Sequence, residues 1–558
     1  MYNKQQAINL IKYFLFFYFF SAVYQSLCFI SNVSGSVGLR DSFYMSFFWF
    51  IPILIFVNYA KLLAGFIGIV LWFTSLFSLG YFILYNQEFS QSVIFIVFES
   101  NMSESKEFLQ TYFSWWIIPI FFVYTLVGYF IWKNLDNIEI QNKSKLILVL
   151  FSLVITSYTF DKTYFLNDLN LDKAINKQLD KMQAASPWNL IAGYIKYKQD
   201  LNQMENLLSQ NNSIPPLNNM KVKMNQANTL VLVIGESTNR NRMSLYGYDR
   251  ETTPKLNAKK DDLLVFDNVF SSRPYTIETL QQALTFADEE NPDLYISKPN
   301  ILNIMKQAGY TTYWVTNQQT QTTRNTMLTT FSKMADNQIY LNNNRRQNSS
   351  SYDEVVLEPF KEIMEDKNIE KKFIVLHLLG THARYDYRYP SSFSKFDNQK
   401  ISQDLNEKES SYYNYYDNAI YYNDFVVSSI IDIIQNDKNP SSMLYFSDHG
   451  EEVFDNLKQK KMGRNEQEPT SAMYTVPFII YGNKKWNQLF NLEKLNKFTH
   501  RIYSTSNLLH TYCDLAGISF DEFEPQKSII SENYKTLPIL IGDPIKKASL
   551  RNLLEKPL

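Results

Sequence analysis

Cysteine is almost missing from this chain. Only Cys28 and Cys513 occur in 558 residues. The first lies in an apolar run and the second far downstream, which excludes a disulfide framework and any zinc site of the CxxC type. Whatever folds outside the apolar runs does so without staples. Net charge is lacking too: 54 basic against 55 acidic residues leave −1, which offers nucleic acid no overall attraction. No internal repeat or low-complexity tract stands out. No small-residue cleavage site follows the first apolar run, which reads as an uncleaved anchor rather than a signal peptide.

What the sequence does have, in its first third, is long apolar runs. Five windows approach the about 20 residues that cross a bilayer: Ile8 to Ile30, Phe43 to Tyr59, Leu62 to Tyr85, Trp116 to Trp132 and Leu146 to Phe160. Buried helices of a soluble domain keep a polar face, and these mostly do not. Lys4, Lys61, Lys133, Lys143 and Lys145 flank the windows on one side. The loop between the third and fourth carries Glu88, Glu99, Glu104 and Glu107 against Lys106. Basic flanks stay cytoplasmic, so the N-terminus is expected inside and everything after Phe160 outside.

From Tyr164 to about Ala227 apolar residues recur at roughly helical spacing, with Trp188, Ile191, Ile195 and Tyr197 near a proline. This suits amphipathic helices on the membrane surface or a plain helical linker. SIPPLNN, Ser213 to Asn219, marks a boundary. The expected division is 1–163 in the membrane, 164–227 as linker and 228–558 as an external domain. Beyond the boundary, β-rich runs alternate with helical segments: Thr229 to Ile234, Thr311 to Thr316, Phe373 to Leu379, Met443 to Phe446 and Thr475 to Tyr481. That texture predicts an α/β domain with a largely parallel sheet covered by helices on both faces.

Ligands of such sheets bind beyond the carboxyl ends of the strands. Four runs end there on polar groups: Gly235-Glu236-Ser237, Asn317, Gly380-Thr381-His382 and Ser447-Asp448-His449-Gly450-Glu451. One Glu, one Asp and one His make a set suited to Zn²⁺ or Mn²⁺ with an open position. Singly each has a plainer reading: Glu236 as a helix cap, His382 as a core histidine, DHG as a turn. Adjacent strand residues point to opposite faces, so Asp448 and His449 share a metal only where the strand ends, and Gly450 is expected to permit that bend. In SSRPYTIETLQQALTF, Ile277, Leu280, Gln281 and Leu284 lie at helical spacing and place Thr276 in a first helical turn. Backbone N–H groups there favour phosphate, and a metal would lower the hydroxyl pKa; capping is the other reading.

With these residues assembled, the chain resembles the phosphoethanolamine transferases of the Gram-negative inner membrane, members of the alkaline phosphatase and sulfatase superfamily. The likeness rests on the five apolar runs and on VIGESTNRNRMSLYGYDRETTP, NVFSSRPYTIETLQQALTFA, LHLLGTH and YFSDHGEE. The SSRPYT and DHGEE…GRNE wording is nearest the branch that modifies a heptose of the lipopolysaccharide core. The resemblance implies Glu236, Thr276, Asp448 and His449 as zinc ligands, with Thr276 also the nucleophile. His382, Asn317 and Glu451 fall at or near positions that contact phosphoethanolamine, His382 as proton carrier and Glu451 toward the ammonium. It further implies a phosphatidylethanolamine donor, a lipopolysaccharide acceptor, a covalent phosphoethanolamine-threonine intermediate and a periplasmic catalytic domain.

Two features depart from the family pattern. Relatives that modify lipid A carry a further His before a Gly, whereas the matching segment here, Lys458 to Glu466, reads KQKKMGRNE. That leaves one zinc site expected and a second open, with Arg464 and Asn465 as stand-ins on the substrate. Many relatives also hold external disulfides, which this chain cannot. Three alternatives stand beside this reading. A glycerophosphate transferase of the lipoteichoic acid synthase type shares the five spans and a Thr nucleophile. A sulfatase or phosphodiesterase hydrolase would need Ser-x-Pro-x-Arg, and Ser272 to Thr276 ends in Thr instead. A non-catalytic anchored interaction protein would be expected to have lost one of the four ligand residues.

Overall fold

The structure, a computed structural model, describes residues 4–31, 36–85, 89, 93, 115–166, 170–209, 215–223, 228–318, 331–342, 352–397, 399, 401, 404–457, 459–544 and 549–558. Glu88, Glu99, Glu104, Lys106 and Glu107 of the acidic loop, Ser213 and Ala227 of the expected boundary, and Lys458 lie outside the described residues. The chain forms a helical unit within residues 1–200 and an α/β unit from Leu201 to Leu558.

The helical unit contains α1 (Lys4–Ile30), α2 (Val37–Ser46), α3 (Phe50–Ile55), α4 (Ala60–Tyr85), α5 (Ile117–Lys133), α6 (Asn142–Leu166), α7 (Leu171–Met182) and the start of α8 (Trp188–Ser209). Among the described residues three helical stretches are long and apolar enough to cross a membrane: Gln5–Ile30, Val57–Leu84 and Asn142–Phe165. Ile117–Lys133 is equally apolar but shorter, at 17 residues. The window expected from Phe43 to Tyr59 is not one helix. It runs through the end of α2, a 3₁₀ segment at Phe47–Trp49, α3 and a second 3₁₀ segment at Val57–Tyr59. Pro52 explains the first interruption, since it has no N–H for the carbonyl of Phe48 and its ring crowds that carbonyl. The bundle packs around Tyr13, Phe16, Phe17, Phe20, Leu71 and Tyr124. Polar atoms inside it are paired helix to helix: Tyr124 Oη lies 2.8 Å from Ser75 Oγ and donates to Phe20 O at 3.2 Å.

The α/β unit is built on seven strands: β1 (Thr229–Gly235), β2 (Leu263–Val265), β3 (Thr311–Thr316), β4 (Asn337–Tyr340), β5 (Lys372–His377), β6 (Ser441–Ser447) and β7 (Phe478–Gly482). Their order across the sheet is β2-β7-β6-β1-β5-β3-β4. From β6 to β4 every neighbouring pair is parallel. β7, the fifth expected run, corrects the expectation, because it is antiparallel to both β6 and β2. A parallel return needs a crossover, and among the described residues between β6 and β7 the elements are the four-residue helix Ser471–Tyr474 and two two-residue strands.

Every residue of β1, β5 and β6 is buried, as their unbroken apolar runs require of a sheet covered on both faces. Val231, Val233, Ile374, Leu376, Met443 and Tyr445 pack on one side, against Leu357–Glu365 and the 29-residue α10 (Glu407–Gln435). On the other side Phe373 meets Tyr512 of Leu508–Leu515, ring centroids 5.3 Å apart. Between β2 and β3 lies α9 (Thr276–Ala283). The carboxyl ends of the parallel strands β6, β1, β5 and β3 consequently stand side by side, carrying Asp448 and His449, Glu236, His382 and Asn317.

Candidate metal and phosphoryl site

Glu236 leaves β1 with its carboxylate 1% exposed. Ser237 follows with φ of 58°, a left-handed conformation that disfavours a Cβ-bearing residue by about 1–2 kcal/mol. That turn is held from both sides. Ser237 N donates to Asp448 Oδ1 at 3.1 Å, its Oγ to Glu236 Oε1 at 3.0 Å, and its carbonyl accepts from Tyr416 Oη of α10 at 2.6 Å. Across the strand pair, Asp448 N donates to Gly235 O at 3.1 Å and His449 N to Asp448 Oδ1 at 2.7 Å. Gly450 does not supply the bend expected of it, as its φ is not in the left-handed range. It is needed for close approach: a Cβ there would lie 2.1 Å from Ala472 O.

Glu236, Asp448 and His449 offer ligand atoms all within 4.8 Å of one another. His449 Nδ1 lies 2.9 Å from Gly450 O, a carbonyl that only accepts, so Nδ1 carries the proton and Nε2 keeps its lone pair. Burial, followed by the Arg464 charge, pushes the imidazole pKa down and holds it neutral. Nε2 faces Glu236 Oε1 at 3.2 Å and Asp448 Oδ2 at 3.4 Å. Asp448 Oδ2 is buried and, among the described residues, has no hydrogen bond. Three lone-pair donors facing one point repel one another without a cation between them. Burial and then the charge of Glu236 push Asp448 well up. Burial also pushes Glu236 up, but the Arg464 guanidinium, 3.9 Å from Oε1, and the hydroxyl donors Ser237 and Thr276 favour its ionised form, and the carboxyl is held well below its ordinary range. The orphaned oxygen and the donor set of two carboxylates, one imidazole and one hydroxyl fit a divalent ion of the zinc type.

Thr276 supplies that hydroxyl. It is the first residue of α9, but the N-cap is Tyr275, so the capping alternative fails. Its Oγ1 donates to Glu236 instead, at 3.0 Å from Oε2 and 3.2 Å from Oε1, and lies 3.4 Å from His449 Nε2. The loop before it is clamped by a bidentate pair, Arg273 Nε to Glu466 Oε1 at 2.5 Å and Nη2 to Glu466 Oε2 at 3.0 Å. Glu466 closes the GRNE segment, whose Arg464 reaches the cluster itself. Arg464 Nη1 lies 2.5 Å from His449 Nε2 and 3.9 Å from Glu236 Oε1, and Nε lies 3.3 Å from Glu451 Oε2. Glu451 also accepts from Tyr385 Oη at 3.2 Å, and burial pushes its carboxyl up to about 7. Glu452 has a local task, accepting from Thr470 Oγ1 at 2.6 Å and Asn456 N at 3.0 Å.

The other expected site residues stand further from this centre. His382 is half-buried, its Nδ1 has no hydrogen bond among the described residues, and burial pushes it down to about 4. His382 therefore rests neutral near pH 7, so the proton-carrying role expected of it would begin with its basic nitrogen accepting. Asn317 donates to Asp353 Oδ1 at 2.9 Å, and Asp353 also accepts from Leu379 N and Gly380 N, at 2.8 and 2.7 Å. This network shapes the turn ahead of His382. Asn465 Oδ1 accepts from Gln467 N and Glu468 N, at 2.9 and 3.1 Å, within its own loop. The sequence reading missed Gln318, whose Nε2 reaches Glu236 Oε2 at 3.5 Å and Leu378 O at 2.9 Å. Its only signal was its place two residues after the end of β3.

Two predictions arise here. Gly380 has φ of 57°, and a Cβ on it would lie 2.6 Å from Glu236 N and 2.7 Å from Glu236 O. Gly380→Ala is expected to destabilise the α/β unit by about 1–3 kcal/mol through strain and to displace Glu236; a weaker zinc affinity in a chelator competition assay checks it. His377, the last residue of β5, is buried, and among the described residues neither ring nitrogen has a hydrogen bond; it packs edge-on to Trp314. Burial pushes its pKa down to about 4. The unfolded chain binds that proton below about 6.5 while the folded chain does not, so stability falls as pH drops from about 6.5 to about 4, by about 2 kcal/mol at pH 5. His382 and His510, also pushed to about 4, act in the same direction. His377→Leu should remove one share, seen as a smaller drop in melting temperature between pH 7.5 and pH 5.

The chain matches the sulfatase family over residues 228–518. It is 46% identical over 545 residues to the phosphoethanolamine transferase EptC of Escherichia coli K12, covering 96% of this chain and 94% of that protein. Among solved structures, the C-terminal periplasmic domain of Escherichia coli EptC in complex with Zn matches at 50% identity and a TM-score of 0.60, over 62% of this chain and 98% of that one. The fold of nearly the whole chain, 93% of it, is shared with 98% of the integral membrane lipooligosaccharide phosphoethanolamine transferase A of Neisseria meningitidis, at a TM-score of 0.61 and 19% identity.

Proposed function

Because this chain belongs to the sulfatase family, among its phosphoethanolamine transferases, we propose that it moves phosphoethanolamine from phosphatidylethanolamine to a lipopolysaccharide sugar. The favoured acceptor is a core heptose rather than lipid A, and the intermediate is phosphoethanolamine on Thr276. The reading takes the five apolar segments as inner-membrane spans with the N-terminus cytoplasmic and the catalytic unit periplasmic. One observation carries it: the Thr276 hydroxyl sits within hydrogen-bond reach of Glu236 and His449, and His449 Nε2 in turn faces Asp448 Oδ2 at 3.4 Å.

Glu236, Asp448, His449 and Thr276 would hold one zinc ion, which supplies Lewis-acid charge and lowers the pKa of the hydroxyl. In the first half-reaction, Glu236 Oε2 accepts the Thr276 proton. Thr276 Oγ1 bonds to phosphorus, and the bond from phosphorus to the diacylglycerol oxygen breaks, that oxygen leaving with a proton from solvent. The Arg464 guanidinium steadies charge on the phosphoryl oxygens. Glu451 faces the ethanolamine ammonium, and Asn317 and Asn465 support the loops around it. In the second half-reaction, the acceptor hydroxyl gives its proton to His382 Nδ1. Its oxygen bonds to phosphorus while the Thr276 bond breaks, and Thr276 recovers a proton. Donor and acceptor are both lipids, which gives the apolar helices their purpose.

The test is the mass of lipopolysaccharide from cells with and without this protein, fragmented to separate core from lipid A. A phosphoethanolamine increment on the core that depends on the protein supports the reading. The increment on lipid A alone would move the acceptor, and a glycerophosphate adduct on Thr276 would replace the reaction.

A further inference from the structure

In the helical unit, α1, α4 and α5 enclose an apolar groove of about 900 Å³, within the ~300–1,000 Å³ usual for ligand sites. Gly65 and Gly68 of α4 and Gly128 of α5 line it, letting the Trp132, Phe16 and Phe20 rings pack close to the helix backbones, and Phe66, Ile69 and Tyr129, exposed by 66%, 64% and 49%, form its rim. Three polar side chains of the wall are already paired. Trp72 Nε1 donates to Thr125 Oγ1 at 2.9 Å, Thr125 Oγ1 to Phe121 O at 2.7 Å, and Trp132 Nε1 to Lys61 O at 3.1 Å. The groove therefore asks for hydrocarbon along its length.

One end differs. Lys61 lines it, with Nζ donating to Lys133 O at 2.9 Å and lying 5.8 Å from the Trp132 ring centroid. The ammonium has three N–H donors, and among the described residues one hydrogen bond leaves it, to Lys133 O, so an anion can take the others. Lys12 and Lys145 lie at the same end of the bundle: Lys12 is paired with Asp136 at 2.7 Å and donates to Asn134 O at 3.3 Å, and Lys145 donates to Ile55 O at 2.9 Å. From Lys61 to Trp72 the groove follows α4 for about 16 Å at 1.5 Å per residue. A bilayer core is about 30 Å thick, so the groove is as deep as one leaflet, with Lys and Trp where interfacial anchors belong.

We infer that this groove is a glycerophospholipid site, with an acyl chain lying along Gly65, Gly68 and Gly128 and the phosphate on Lys61. Basic residues stay cytoplasmic, which places the lipid in the inner leaflet. It is thus a resident lipid of the helical unit, distinct from the donor proposed for the α/β unit, and it does not depend on the acceptor.

The test uses the full chain in nanodiscs of phosphatidylethanolamine and phosphatidylglycerol, with a trace of phospholipid carrying a diazirine on its acyl chain. Light should place adducts on 62–72 and 125–132 in excess over the other lipid-facing helices. Diazirine diacylglycerol, which lacks the phosphate, should label these segments roughly fivefold less, and Lys61→Gln should remove that difference. Gly128→Leu fills the groove from a position where a Cβ meets only ordinary contacts, Phe19 and Phe20 at 3.5 Å, and should abolish the excess. Ile69→Trp, from the exposed rim, should do the same if Gly128→Leu fails to fold. Even labelling of all lipid-facing helices, equal labelling by diacylglycerol, or an unchanged excess in both filling variants would overturn the site.

Discussion

Thr276→Ala is expected to lower phosphoethanolamine transfer by about 10⁴-fold or more, the scale on which nucleophile removal acts in enzymes that work through a covalent intermediate. The effect is chemical rather than structural. Thr276 Oγ1 is bonded to Glu236 at 3.0 Å and approaches His449 Nε2 at 3.4 Å, whereas the N-cap of α9 is Tyr275. Loss of the hydroxyl therefore leaves the helix start intact. The three candidate ligands, Glu236, Asp448 and His449, also remain, so zinc content should fall little. Intact-mass analysis after exposure to phosphatidylethanolamine should show an adduct on the parent chain and none on the variant. Thr276→Ser keeps an oxygen on Cβ and should retain adduct formation at a reduced rate. Full transfer by the alanine variant with zinc bound would remove Thr276 from the mechanism.

Much of this centre could be read before any coordinates. The buried strands were legible because their apolar runs were unbroken, and their polar ends, Glu236, Asp448 and His449, followed from where parallel sheets hold ligands. The reversal of β7 was not legible, since a fully buried strand reads the same in either direction and only the missing crossover helix decides. Gly450 was singled out for the wrong reason: its need is space beside Ala472 O, which no local pattern records. Phe43 to Tyr59 looked like one span because hydropathy counts side chains and takes no account of the hydrogen bond that Pro52 cannot make. The positions of Gln318 and Tyr385 at the site were invisible for a related reason, as both depend on which turns face Glu236 and Glu451. The charge state of His382 required its burial, which sequence spacing does not give.

The least legible part is the support behind the site, and it carries the other large effect. Asp417 of α10 is fully buried and takes two guanidinium groups. Arg242 Nε and Nη2 meet Oδ1 at 2.9 and 2.7 Å, and Arg250 Nη1 meets Oδ2 at 2.6 Å. Arg242, itself 1% exposed, lies 3.5 Å from the Tyr413 ring centroid and also donates to Val453 O and Asp455 Oδ1. Asp417→Ala would leave Arg242 buried with Asp455, at 3.2 Å, as its remaining carboxylate among the described residues, and breaking such a pair destabilises by about 3–5 kcal/mol. Tyr416, next in sequence, holds the left-handed Ser237 through its carbonyl, so the loss should reach Glu236 as lower turnover. A buried ion pair is weak evidence of net stability, because well-packed apolar residues of similar volume often replace it at little cost. Arg242→Met with Asp417→Leu is accordingly expected to regain part of the melting temperature lost by Asp417→Ala, since Arg250, 18% exposed, loses its carboxylate and keeps its hydrogen bonds to Asn414 and Gln399. If the double variant regains stability but not turnover, the pair positions the metal-ligand turn; if it regains both, the pair only fills space.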